Sequence, residues 1–154
     1  MNWNYPKQKF LSESGELGDC WRCCIAAMLQ LPIDDVPHFL MWAKKNGSSM
    51  HPDTQKWLNE RGYCLVQANE FSFPRWAGKG FDGMPVIASG PTSRSKTMRE
   101  HHAVIMLGDK LLYDPHPSED GLTAVTQMYL VVPLFPESKP CNCGGLCPAC
   151  ASEK

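Results

Sequence analysis

The spacing of apolar positions changes near the middle of the chain. Between residues 20 and 58 apolar side chains recur at helical intervals, and from residue 63 onward they gather in short runs bounded by turn residues. Cys23, Cys24, Ala27 and Met28 sit three and four residues apart, which predicts a helix over 20–29 with that set along its inward wall. Cys20, which follows Gly18-Asp19, falls on the exposed tip of the same helix. Leu31-Pro32-Ile33-Asp34-Asp35-Val36-Pro37 breaks the chain, and Asp34 or Asp35 is placed to cap a second helix over 36–45 that stops at Asn46-Gly47. Ser49-Met50-His51-Pro52-Asp53 opens a third helix, which turns Trp57 and Leu58 inward and ends by Gly62.

The second half reads as strands over 63–68, 84–89, 101–107, 111–114 and roughly 124–132. The third and fourth flank Gly108-Asp109-Lys110 as a hairpin. Helices first and an antiparallel sheet afterwards predict an α+β fold. The polar stretch through Glu16 reads as an extended lead-in. Residues 71–82 and 90–100 read as long loops, of the kind that frames a binding site or simply moves.

A chain of 154 residues suits one catalytic-size domain, over 1–134, followed by a cysteine-rich tail over 135–154 that Pro133, Pro136 and Pro140 set apart. The net charge of -1 is scattered, so there is no basic stripe for a phosphate backbone, and nucleic acid is not an expected partner. No apolar run approaches a membrane span, and the first residues carry no charged and apolar leader. The expectation is a soluble, cytoplasmic protein with no membrane partner. In that compartment the eight cysteines point to thiol chemistry or metal binding rather than disulfides.

Cys20 is the candidate nucleophile. The first N–H groups of a helix lack intrahelical partners and the helix dipole favours an anion there, while the thiolate is the reactive form of cysteine. Cys23 and Cys24 read instead as core. A thiol nucleophile needs an imidazole to move its proton and a third group to aim that imidazole. His101 or His102 with Asp114 fits, and hairpin register chooses between the histidines. A three-residue loop of Gly108, Asp109 and Lys110 makes Val104 oppose Asp114 with His102 diagonal to it; a two-residue turn puts His101 there; a bulge shifts the choice. The three-residue loop, and with it His102, is the reading adopted. Gln8, twelve residues before Cys20, offers a side-chain amide as a donor to an oxyanion. His116 between two prolines reads as a turn or cleft-rim residue, and His38 and His51 receive no chemistry.

Gln8, Gly18-Asp19-Cys20, Val36-Pro37-His38-Phe39, His102-Ala103-Val104 and Asp114-Pro115-His116-Pro117-Ser118 resemble, in that order, a small bacterial and phage branch of papain-like cysteine peptidases. The resemblance spans about residues 8–122. It implies a papain-like fold with Cys20 as nucleophile, His102 as general base and acid, and Asp114 as the orienting group. Gln8 and the Cys20 backbone N–H would form the oxyanion hole. The His101-His102 doublet and the cysteine tail depart from the pattern. The expected function is a thiol hydrolase that cleaves a peptide or isopeptide bond in a peptide or protein substrate, with no cofactor for catalysis. An acyltransferase or deamidase shares the same chemistry, and an inactive peptide-binding module is the alternative from another class. Cys141, Cys143, Cys147 and Cys150 form a compact set of four soft ligands, which predicts a structural zinc site. Free thiols, a redox-labile pair and an iron–sulfur ligand set are the rival readings of that tail.

Overall fold

Helix α1 (Cys20–Leu29) supplies much of the main apolar core. In the computed structural model, which describes residues 3–69, 83–95 and 100–134, Cys23, Cys24, Ile25, Ala26 and Ala27 of this helix are fully excluded from solvent. They meet Ile87, Ala103, Ile105, Tyr113 and Tyr129 from one face of the sheet. The buried indole N–H of Trp21 donates to Thr54 Oγ1 at 3.0 Å, and Thr54 Oγ1 donates to the Met50 carbonyl. That satisfies a polar group that would otherwise weaken this core. Helices α2 (Phe39–Asn46) and α3 (Met50–Asn59) complete the helical half, with Phe39, Trp57 and Leu58 buried as the pattern requires.

The strands are β1 (Tyr63–Asn69), β2 (Val86–Gly90), β3 (His102–Leu107), β4 (Lys110–Tyr113) and β5 (Gln127–Pro133). They form one antiparallel sheet in the order β1-β5-β2-β3-β4. Among the described residues, three α-helices followed by a five-stranded antiparallel sheet make an α+β fold. Val86 and Leu130 with their apolar neighbours form a smaller cluster of their own. Among the described residues no helix is long and apolar enough to cross a membrane.

Two local expectations are corrected. The second helix begins at Phe39 rather than at residue 36, because Val36 precedes Pro37 and a residue in that position is driven out of the α region. Val36 is extended and buried, and its carbonyl accepts from Arg22 Nε at 2.7 Å; a single 3₁₀ turn, Ile33–Asp35, precedes it. The cap is His38, whose Nδ1 accepts the Met41 N–H, while Asp34 pairs instead with Lys9 and Arg22. The second correction is the hairpin. Leu107 pairs with Lys110, so the turn has two residues, and a bulge after Ile105 then restores the pairing of Ile105 with Tyr113.

One glycine is dictated by close approach. Residues 123–126 cross the end of β2, with the Thr123 and Thr126 N–H groups bonded to the carbonyls of Pro91 and Ser89. A Cβ on Gly90 would lie 1.9 Å from the Ala124 carbonyl oxygen. Gly90 pairs with His102 across the sheet, so this crossing also braces the strand end that carries the histidine. The proposed tail ligands Cys141, Cys143, Cys147 and Cys150, and the loop over 71–82, lie outside the described residues.

Candidate active site

Because α1 lies on β3, the first residue of the helix meets the first residue of the strand. Cys20 is partly exposed, and it lines a cleft of about 470 Å³ together with Gln8, Trp21, His51, His101 and His102. His102 is buried, and its Nε2 lies 2.7 Å from Asp114 Oδ1. Asp114 is buried behind it and collects three donors. Oδ1 takes the His102 ring and the His116 N–H at 2.8 Å, and Oδ2 takes the Gly121 N–H at 2.9 Å. A carboxylate so surrounded has a fixed orientation, which in turn fixes the imidazole ring.

The charges follow from this geometry. Burial works against a charged His102, but hydrogen bonds to Asp114 and Cys20 and the charges of both raise its pKa to about 9. Burial likewise opposes ionised Asp114, yet the His102 bond and charge and the two backbone N–H donors hold its carboxyl below the usual range. Burial pushes the Cys23 and Cys24 thiols well up, which leaves them un-ionised packing groups, as their helical position implied.

The hairpin therefore delivers the histidine that the sequence favoured, by a different route. The two-residue turn alone selects His101, and the bulge reverses the selection. His101 is exposed at the cleft. His116 is a turn and rim residue: Ser118 N–H donates to its Nδ1 at 3.0 Å, and its ring stands edge-on to His102 with centroids 6.0 Å apart. His38 caps α2 and bonds the Leu17 carbonyl.

Gln8 also reaches the cleft. Its Nε2 donates to the Phe10 carbonyl at 2.8 Å, which occupies one amide hydrogen and leaves the second, while Oε1 is buried with no hydrogen-bond partner among the described residues. The lead-in that carries it is bound at both ends. Lys7 Nζ donates to the Asp114 carbonyl and pairs with Glu119, and the Gln8 N–H donates to the Pro115 carbonyl. Lys9 pairs with Asp34, and the Phe10 N–H donates to Asp19 Oδ1.

Sequence reasoning missed three contributors. Asp19 is buried and holds Phe10 rather than capping α1. His51 packs against both Trp21 and Tyr129 on the cleft wall, where burial lowers its pKa. Arg94 donates to Ser118 and Asp120, tying the loop after β2 to the one after Asp114. Only the Gly-Asp step before the helix carries a signal, and it reads only as placing Cys20 on the helix tip.

Among the described residues no group of three or more His, Cys, Asp or Glu is placed to hold a metal ion. An imidazole held between a thiol and a carboxylate can take the thiol proton and later return it to a leaving group. No family model, curated protein or solved structure matches this chain.

Proposed function

We propose that this chain is a thiol hydrolase of the papain-like cysteine peptidase kind, acting on a peptide or isopeptide bond through an acyl-enzyme on Cys20. The observation that carries this reading is the buried His102 imidazole, hydrogen-bonded through Nε2 to a three-fold anchored Asp114 and raised in pKa by Asp114 and Cys20 together. In this mechanism Cys20 gives its proton to His102, and the sulfur attacks the carbonyl carbon. The oxyanion that forms accepts from the Cys20 backbone N–H, which at the helix start has no intrahelical partner, and from the remaining Gln8 amide hydrogen. His102 then protonates the departing amine, and afterwards takes a proton from the water that hydrolyses the thioester. Asp114 keeps its charge and holds the ring in orientation throughout.

The test is intact-mass analysis with site location after exposure to a thiol-directed peptide amide mimic. A single adduct on Cys20 is expected, with none in Cys20→Ala and with that variant still folding cooperatively, its melting temperature lowered only by the lost Cys20–His102 interaction. Below about pH 7 Cys20 should alkylate faster than Cys64, and His102→Ala but not His101→Ala should remove the advantage. Undiminished turnover of a confirmed substrate by Cys20→Ala, or loss of the advantage in His101→Ala alone, refutes the assignment.

A further inference from the structure

We propose that Asp19 is a positioning residue for the oxyanion-binding amide of Gln8, acting through the backbone of Phe10; the inference rests on the hydrolase reading above. Asp19 precedes α1 at the position where a short polar side chain ordinarily bonds the helix's own N–H groups. It makes no such bond. Its carboxylate is 1% exposed, with Oδ1 accepting the Phe10 N–H at 3.0 Å and Oδ2 lying 3.8 Å from Arg22 Nη1 without a hydrogen bond. A buried carboxylate is costly to maintain on so few partners, and its one hydrogen bond among the described residues is directed two residues past Gln8.

The geometry on the other side of Phe10 completes the argument. The Phe10 carbonyl accepts the Asp19 N–H at 3.4 Å and Gln8 Nε2 at 2.8 Å. Asp19 thus holds Phe10 by both its N–H and its C=O. Because a carboxamide is planar, fixing one Nε2 hydrogen on Phe10 also fixes the direction of the other. Gln8 Oε1 has no hydrogen-bond partner among the described residues, so the Phe10 carbonyl is the contact that sets the rotation of that amide. The main chain of Gln8 is tied separately, to the Pro115 carbonyl beside Asp114. The donor is therefore fixed to the carboxylate side of the site by its backbone and to the thiol side by its side chain, and Asp19 controls the second attachment.

Two probes separate this role from a merely structural one. p-Nitrophenyl acetate acylates through a tetrahedral oxyanion: the sulfur bonds the carbonyl carbon, the π pair moves to oxygen, and collapse expels p-nitrophenolate to leave a Cys20 thioester. Iodoacetamide alkylates by displacement of iodide and forms no oxyanion. Gln8→Ala should slow acylation about 100-fold, the usual effect of losing one such donor, and Asp19→Ala about 10-fold or more. Asp19→Asn, whose amide oxygen still accepts the Phe10 N–H, should stay within about 3-fold of the parent, and Gln8→Ala/Asp19→Ala should be no slower than Gln8→Ala alone. Alkylation of Cys20 should change by less than about 2-fold throughout. Asp19→Ser, too short to reach Phe10, takes the place of Asp19→Ala should that variant not fold. Wild-type acylation in Asp19→Ala or Asp19→Ser beside slow Gln8→Ala overturns the proposal, as does alkylation falling in step with acylation. A parent Cys20 that alkylates but is never acylated overturns the hydrolase reading itself, and the parent protein alone reveals it.

Discussion

Replacing Asp114 by Asn tests the electrostatics of the site most directly, because the perturbation keeps shape and removes charge. His102 is raised from 6.5 to about 9, so its stabilising contribution is fully present below pH 6.5 and is lost as pH rises through about 9. Asp114 is depressed below 3.8, so its contribution is present above that value and is lost as pH falls. The pair therefore stabilises the fold between about pH 4 and pH 9. At about 1.4 kcal/mol per unit, the His102 shift corresponds to roughly 3 kcal/mol, shared between Asp114 and Cys20. The side chains are 10% and 1% exposed, so solvent screening removes little of it. Asp114→Asn should remove most of it, on the order of 2–3 kcal/mol near pH 6, because burial persists and only Cys20 still opposes it. The amide also turns an NH₂ group toward one of the three donors, a loss that persists at every pH. Urea unfolding at pH 6 and pH 9.5 reads the difference, and the His102 Cε1–H signal reads the titration. The destabilisation should shrink at the higher pH, and the midpoint should fall toward or below 6.5, since burial is then opposed by Cys20 alone. A midpoint unchanged near 9, or an equal stability loss at both pH values, refutes the reasoning.

Gly90→Ala should destabilise the protein by about 3 kcal/mol or more, because its Cβ meets the Ala124 carbonyl and the segment over 123–126 must move away. Since Gly90 faces His102, Cys20 reactivity should fall in the same variant; a melting temperature within about 2 °C of the parent contradicts the close approach. For the tail, metal analysis of protein purified without added zinc should give about one equivalent, abolished by deleting residues 141–150. Less than about a tenth of an equivalent, with Cys141, Cys143, Cys147 and Cys150 all titrating as free thiols, rejects the site.

Much of the fold was legible because it rests on local periodicity. The inward wall of α1, the glycine stop after α2 and the apolar strand runs are written in neighbouring residues, and β1 to β5 fall within a few positions of where those runs lie. The start of α2 was misread because two acidic residues before a proline imitate a cap. Pro37 instead acts backwards on Val36, and His38 takes the capping place. The hairpin shows a compensation: the turn is one residue shorter than the sequence suggested, and the bulge adds one back, so His102 reaches Asp114 all the same.

The sequence by itself determined which chemistry is on offer: a cysteine on a helix tip, a histidine on a strand start, an aspartate at the end of the next strand, and an amide upstream. Each is visible because element type and position depend on short-range steric and hydrophobic pattern. Tertiary structure decided which groups meet and in what electrical state. The polar lead-in showed no periodicity, yet Lys7 bonds a carbonyl 107 positions away, and Asp19 turns from its own helix to Phe10. Such bonds join a side chain to distant backbone, and every backbone unit carries the same N–H and C=O. The local sequence therefore leaves no mark of which one will be chosen. The raised pKa of His102 likewise arises from burial and neighbours that exist only once helix and sheet have packed.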